Sequence, residues 1–309
     1  MAILIKSDAG RVSLWVDALR RQLPEQEPRV FPDLGAKEEI DYALVWRPPA
    51  GLLATLPNLK AVFSVGAGVD HLASDPELPR HLPLVRMVEP GLTAGMSEFV
   101  VMSVLMHHRF MLDYRAQQDR KEWEEIQQIP AEARGVAFLG LGALAGDAVA
   151  KLRPFGFRLM GWSRSPKAIE GVEAFHGPEG LRAMLPQADI LISLLPLTAE
   201  TRNLIDARLL AQLPRGAALV SVGRGQQVVE ADLLAALDSG QVGGATLDVF
   251  QEEPLPPSSP FWTHPRVIVT PHVAAMTMAD TAVAQVVANI RRLEAGEAPL
   301  NRVDLDRGY

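Results

Sequence analysis

An α/β protein built on a doubly wound parallel sheet is what this sequence predicts, on three observations. Short apolar runs alternate with helix-forming stretches along the chain. A glycine-rich turn, Gly140-Leu141-Gly142, joins one such run to an alanine- and leucine-bearing segment that continues through Leu152. Several later runs end in residues capable of chemistry, which is where open α/β sheets place their ligands.

Residues 2–6 open the alternation as a strand, followed by a helical pattern around Trp15, Leu19 and Leu23, then by strands at 42–45 and 59–65. Two of these strands end in distinctive turns, Trp46-Arg47-Pro48-Pro49 and Gly66-Ala67-Gly68-Val69-Asp70. The second exposes main-chain N–H groups that can hold a carboxylate, although a flexible connector has the same local signature. Residues 95–114 read as one long helix, apolar around most of its circumference, which one small domain cannot cover alone. Its His107 and His108 point about 100° apart and cannot jointly grip one metal, so packing or an interface is their expected use, and no metal site is expected. Residues 117–134 are polar, carry Trp123, and read as an exposed arm.

The central strand follows, in residues 136–139. In the turn after it, Gly140 permits the sharp reversal, Gly142 lets phosphates approach the main chain, and Ala145 takes the third small position, where helix and strand pack closely. The N–H groups of the helix start, beginning with Ala143 and Leu144, then face the anion. Together with a second strand at 157–162 this is a Rossmann-type dinucleotide site. An NAD site usually carries a carboxylate at the tip of that second strand, about 20 residues beyond the loop. Here the tip reads Trp162-Ser163-Arg164-Ser165-Pro166-Lys167. Its hydroxyls and cations suit a 2′-phosphate, the other reading being a basic surface turn. NADPH is therefore the preferred cofactor expected, with NADH possible. Strands recur at 190–194, 217–222, 245–250 and 267–270, separated by helical stretches such as 201–213 and 230–237. A final helix at 280–294 can return to the first part.

Composition narrows the partners. At 309 residues the chain is long for one core, so two domains, or one large domain with an insertion, are expected. If the final helix returns to the first part, the division is a discontinuous, flavodoxin-like substrate domain (1–95 with 277–309) and a coenzyme domain (96–276). A net charge of −7 argues against nucleic acid as a partner. The absence of cysteine excludes disulfides and thiolate chemistry. No apolar run is long enough to span a bilayer and no secretory leader opens the sequence, so a soluble cytoplasmic protein is expected.

The chemistry gathers after the last three strands, in Val222-Gly223-Arg224, in Asp248-Val249-Phe250 leading to Glu253, and in Thr270-Pro271-His272. Arg224 can hold a carboxylate and polarise the adjacent carbonyl. His272, as an imidazole, can exchange the proton that accompanies hydride transfer, with Glu253 orienting it. This describes interconversion of a small 2-oxo acid and its 2-hydroxy acid. No GxSxG elbow or GK[ST] loop supports a hydrolase or a P-loop kinase.

The motifs VGAGVDH, FLGLGALAGD with WSRSPK, LLPLT, VSVGRGQQVVEADLLAALDSGQVGGATLDVFQEEPLP, HPRVIVTPHVAA and the closing DRGY resemble the D-isomer-specific 2-hydroxyacid dehydrogenases over essentially the whole chain. Within them the likeness is to bacterial reductases of glyoxylate and hydroxypyruvate. The resemblance implies a catalytic set of Arg224, Glu253 and His272, and nicotinamide contact by Asp248. It also implies cofactor cover by Leu195 and Pro196 beside Val222 and Gly223, carboxylate binding by the Ala67 and Gly68 main chain, and Trp46 as a wall of the substrate pocket. A homodimer formed through the coenzyme domain is implied as well. Two alternatives remain: the same chemistry on phosphoglycerate, lactate or a branched acid, and a non-catalytic dinucleotide-sensing scaffold like the C-terminal-binding-protein corepressors.

Overall fold

The computed structural model of the chain describes residues 1–7 and 9–305; residues 306–309, which carry the DRGY motif, lie outside the described residues. The fold divides into two compact units, one comprising Met1–Leu92 and the chain from Thr277 onward, the other Thr93–Met276.

The first unit is built on β1 (Ala2–Lys6), α1 (Val12–Gln22), β2 (Glu27–Val30), β3 (Ile40–Val45), β4 (Ala61–Ser64), α2 (Asp70–Ala73) and β5 (Leu84–Val85). Its strands pair in parallel in the order β2-β1-β3-β4-β5. β1, β3 and β4 are continuous apolar runs because a parallel sheet is covered on both faces. α1 turns Trp15, Ala18 and Leu19, three to four residues apart, into the core. β2 carries a proline and β5 has only two residues, so neither shows the strand pattern in the sequence; both are edge strands, where such composition is tolerated.

α3 (Pro90–His108) starts earlier than the sequence suggests. Proline suits the first helical position, and the buried Glu89 carboxylate accepts the N–H groups of Gly91 and Leu92, both at 2.6 Å. The single helix expected over 95–114 is two helices: Phe110 adopts left-handed backbone (φ 59°), and α4 (Met111–Arg120) begins after it. The exposed arm is accordingly shorter than expected, since its first residues belong to α4.

The second unit holds β6 (Gly135–Leu139), α5 (Ala143–Leu152), β7 (Arg158–Ser163), β8 (Glu173–His176), α6 (Gly177–Met184), β9 (Ile190–Ser193), α7 (Ala207–Leu210), β10 (Ala217–Ser221), α8 (Glu230–Asp238), β11 (Val242–Leu247) and β12 (Val267–Val269). All neighbours in its sheet are parallel, in the order β12-β11-β10-β9-β6-β7-β8. The order reverses at β6/β9, the switch point beside which ligands bind in such sheets. Met96, Val100 and Val104 of α3 join Phe138, Val149 and Ile192 in one core cluster, while Met102 on the same helix is 43% exposed. α3 is thus buried along one face only within its own unit.

The helix expected over 201–213 is confined to the single turn of α7, where Asp206 caps the N–H of Leu209 at 2.9 Å. Upstream, Asn203 takes a left-handed conformation (φ 55°) and its N–H bonds Gln226 O at 2.9 Å, so the chain runs across to the next loop instead of coiling. The last helix, α9 (Ala279–Glu294), is part of the first unit and packs Val283, Val286 and Ile290 inward.

Candidate active site

The glycine turn has the shape its residues dictate. Gly140 sits at φ +99°, and a Cβ there would meet Leu194 O at 3.1 Å. Gly142 faces open space and starts α5 with no side chain capping it, which leaves the first-turn N–H groups of that helix without an internal partner. That geometry, with Ala145 buried, fits a pyrophosphate. Ala143 at the helix start is exposed and Leu144 partly so.

At the tip of β7, Arg164, Ser165 and Lys167 are exposed and Ser163 is buried. The Ser163 hydroxyl donates to Ser165 O at 2.8 Å, shaping the turn. Lys167 Nζ donates to Leu141 O at 3.1 Å, tying the tip to the glycine turn. Glu200, after β9, has a carboxyl held below its ordinary range by the Thr198 hydroxyl and its own main-chain N–H, with a smaller contribution from Arg164.

Arg224, Glu253 and His272 follow β10, β11 and β12, three adjacent strands, and stand at one sheet edge. His272 Nδ1 lies 2.9 Å from Glu253 Oε2, and the other Glu253 oxygen accepts the N–H of Phe250 at 3.1 Å. The carboxylate is thereby fixed by main chain on one side and presents itself to the imidazole on the other. This pairing sets the Nδ1–H tautomer and leaves Nε2 for a ligand. His272 has left-handed backbone (φ 55°), held by its N–H to Asp248 O at 2.9 Å and Thr270 O at 3.1 Å. Such a conformation persists only where its surroundings over-determine it.

Asp248 supplies much of that constraint. It is 1% exposed, and its carboxylate accepts the Thr270 hydroxyl at 2.6 Å and the N–H groups of Val273 and Ala274 at 2.8 and 2.9 Å. The sequence suggests it for nicotinamide contact; its carboxylate is already engaged in shaping the His272 loop. The Arg224 and Glu253 loops meet backbone to backbone, because a Cβ on Gly225 would come within 1.9 Å of the Phe250 carbonyl carbon. Gln251 and Gln226 lace them further, through Val228 O at 2.7 Å and Gln251 O at 3.1 Å.

Leu195 and Val222 are buried beside this edge, with Gly223 and Pro196 adjoining them. Gln227, absent from the residues selected by sequence, is fully buried and bonds the Leu195 and Pro196 carbonyls. Its signal in the sequence was slight, a second glutamine after Arg224-Gly225 in an otherwise apolar stretch.

In the first unit, Trp46 follows β3 and packs against His71 with the rings tilted by 56° and their centroids 4.3 Å apart. Gly66 makes room for it, since a Cβ there would lie 2.8 Å from the indole. Ser64 Oγ accepts the N–H of Gly66 at 3.3 Å and donates to Gly68 O at 3.1 Å, so the turn carrying Ala67 and Gly68 is a defined structure.

The two α3 histidines are engaged in packing. His107 Nε2 is 2.9 Å from Thr246 Oγ1, and burial pushes its pKa down to about 4. His108 meets Phe157 edge-on, with centroids 5.0 Å apart, and burial followed by Arg134 and Arg109 lowers its pKa. Among the described residues no group of three or more His, Asp or Glu side chains could hold a metal ion. No helix among them is long and apolar enough to cross a membrane.

Residues 101–274 match the NAD binding domain of D-isomer specific 2-hydroxyacid dehydrogenases. The protein named glyoxylate/hydroxypyruvate reductase A from Yersinia enterocolitica is 43% identical over 300 residues, 96% of each chain. A D-isomer specific 2-hydroxyacid dehydrogenase from Xanthobacter autotrophicus Py2, crystallised with NADPH and MES, is similar at TM-score 0.96 and 44% identity, covering 100% of this chain and 99% of that one. The NADPH-dependent glyoxylate/hydroxypyruvate reductase of Sinorhizobium meliloti, crystallised with NADP and sulfate, is similar at TM-score 0.94 and 41% identity over 100% of both chains.

Proposed function

The chain belongs to the D-isomer-specific 2-hydroxyacid dehydrogenases, NAD(P)-dependent oxidoreductases, and from that premise we propose that it reduces glyoxylate to glycolate and hydroxypyruvate to D-glycerate with NADPH. The observation that carries the reading is the His272–Glu253 pair on the same sheet edge as Arg224, in a unit whose glycine turn fits a dinucleotide. When bound, the nicotinamide supplies the hydride.

The chain's own residues do the rest. Arg224 binds the substrate carboxylate through its fork of donors and polarises the neighbouring carbonyl. His272, protonated and held through Nδ1 by Glu253, gives the Nε2 proton to the oxygen that becomes the hydroxyl, and Glu253 stabilises the imidazolium until then. Gly140, Gly142, Ala143 and Leu144 hold the pyrophosphate, Ser163, Arg164, Ser165 and Lys167 the 2′-phosphate, and Leu195, Pro196, Val222, Gly223 and Asp248 the nicotinamide end. The two relatives crystallised with NADPH or NADP support the cofactor assignment. For the first unit the reading rests on the family resemblance: main-chain N–H groups of Ala67 and Gly68 for the carboxylate, and Trp46 as a wall favouring short acids. We also assign a homodimer, supported by the exposed Met102, Met111 and Trp123 in and after the half-covered α3, with Trp123 97% exposed.

Loss of NADPH and NADH absorbance against glyoxylate, hydroxypyruvate, pyruvate and phosphohydroxypyruvate tests the assignment. NADPH with the first two acids is expected to give the highest kcat/KM. A clear preference for phosphohydroxypyruvate or pyruvate would replace the substrate assignment, and binding of NADPH without turnover of any acid would favour the scaffold.

A further inference from the structure

The geometry points to Gln227 as a positioning residue that couples the cofactor-covering loop after β9 to the loop that carries Arg224; this inference rests on the functional reading above. Gln227 is 0% exposed, yet all of its amide chemistry is used. Nε2 donates to Leu195 O and Pro196 O, both at 3.0 Å, while Oε1 accepts the Arg224 N–H and the Ser193 hydroxyl, both at 3.2 Å. The two carbonyls demand a donor and the main-chain N–H demands an acceptor, so the orientation of the amide is fixed by its surroundings. One side chain thereby joins the end of β9, the Leu195-Pro196 cover and the main chain of Arg224.

The surrounding structure is organised to keep the amide there. Gly223 lacks a side chain where a Cβ would stand 2.6 Å from Gln227 Oε1. Thr201 Oγ1 donates to the same Pro196 carbonyl at 2.7 Å, fixing the far side of the cover loop. The Gln227 main chain bonds Arg224 O through its N–H at 3.1 Å and accepts the Ile205 N–H at 2.9 Å, so the side chain has a rigid base. A buried, fully satisfied polar group specifies one arrangement of the loops it joins, because any shift leaves a donor or acceptor unpaired at high cost. An apolar residue of the same size would fill the volume and specify nothing. Gln227 therefore acts on affinity for the cofactor and the 2-oxo acid together, without touching either.

Gln227→Leu and Gln227→Glu test this. Leucine removes all four bonds. Glutamate keeps the shape but sets an acceptor against the Leu195 and Pro196 carbonyls; once protonated, as burial favours, it regains a donor. At pH 8 both variants should raise the NADPH Kd, read by fluorescence titration, and the 2-oxo acid KM by about ten-fold, the scale of one buried hydrogen bond left unmade. For Gln227→Glu the ratio of its Kd to that of wild type should shrink toward unity as pH falls from 8 to 6, whereas for Gln227→Leu it should stay constant. Should the leucine variant fail to fold, the pH-dependent ratio of the glutamate variant still decides. Kd and KM within two-fold of wild type at pH 8 would overturn the inference. So would a loss confined to kcat or to the thermal midpoint, since a merely structural residue behaves that way. The NADPH titration needs no 2-oxo acid, so it reads Gln227 independently of the outcome of the substrate panel.

Discussion

The turn after β6 and the edge formed by β10, β11 and β12 are both candidate ligand sites in one unit, and they are built by opposite means. Around Gly140 and Gly142 the backbone is the functional material, bent by glycine and backed by a helix start, with exposed ions nearby at the β7 tip. At the β10–β12 edge side chains are the proposed functional material. They are held by the groups around them: His272 by Glu253 and the His272 loop by the buried Asp248, each from another loop, and the Arg224 main chain by the buried Gln227 of its own loop. The difference teaches that anion binding can be local, whereas proton and carboxylate chemistry needs side chains fixed from several directions.

His272→Ala breaks the comparison hardest. It should lower kcat for reduction by roughly 100-fold or more, the usual scale for a positioned acid, while leaving the NADPH Kd near that of wild type. A comparable loss of NADPH binding would mean that the two regions are not separable.

Arg164→Ala is the reciprocal change. A charge-assisted phosphate contact is worth about 1.5–3 kcal/mol, so the NADPH KM should rise roughly ten-fold or more while the NADH KM stays unchanged. Equal losses for both cofactors would remove Arg164 from 2′-phosphate recognition. Trp46→Ala moves the test to the first unit and should shift kcat/KM toward bulkier 2-oxo acids by roughly ten-fold. An unchanged ranking of acids would withdraw Trp46 from the pocket wall.

The same contrast explains what the sequence discloses. The glycine turn was legible because backbone conformation follows from nearby residues: Gly140 has the positive φ that its place after an apolar run requires. The parallel strands were legible as continuous apolar runs, but β2, β5 and β8 were not, being short or polar edge strands that lack the buried pattern. The break at Phe110 escaped because no glycine or proline stands near it, and the uncoiling at Asn203 because its partner, Gln226, is distant in sequence. Arg224, Glu253 and His272 could be named from residue type and strand ends. The 2.9 Å contact between Glu253 and His272, and the roles of Asp248 and Gln227, depend on contacts between separate loops that no local pattern encodes.

The remaining effect belongs to neither region. His107 carries a folded-state pKa of about 4 against 6.5 for the free side chain, because burial disfavours its charged form. The unfolded chain therefore binds the proton first. The stability this neutral histidine retains is complete above pH 6.5 and is lost as pH falls toward 4, to a limit of about 3 kcal/mol, reduced insofar as part of the residue reaches solvent. Thermal midpoints of wild type and His107→Gln should converge in shape above pH 6.5 and diverge below it, with wild type falling more steeply. Parallel curves would exclude His107 as a source of acid sensitivity.

The central claim is that His272, held by Glu253, delivers the proton in reduction. Its most direct test is the pair of kcat for 2-oxo acid reduction and NADPH Kd, measured for wild type and Glu253→Gln at one fixed pH with substrate and cofactor saturating in the rate measurement. Removing the carboxylate charge 2.9 Å from Nδ1 while keeping its size takes away the partner that orients the imidazole, so kcat should fall by roughly ten-fold or more, the scale of a lost charge-assisted hydrogen bond, while the NADPH Kd stays that of wild type. A Glu253→Gln enzyme that turns over like wild type would contradict the account.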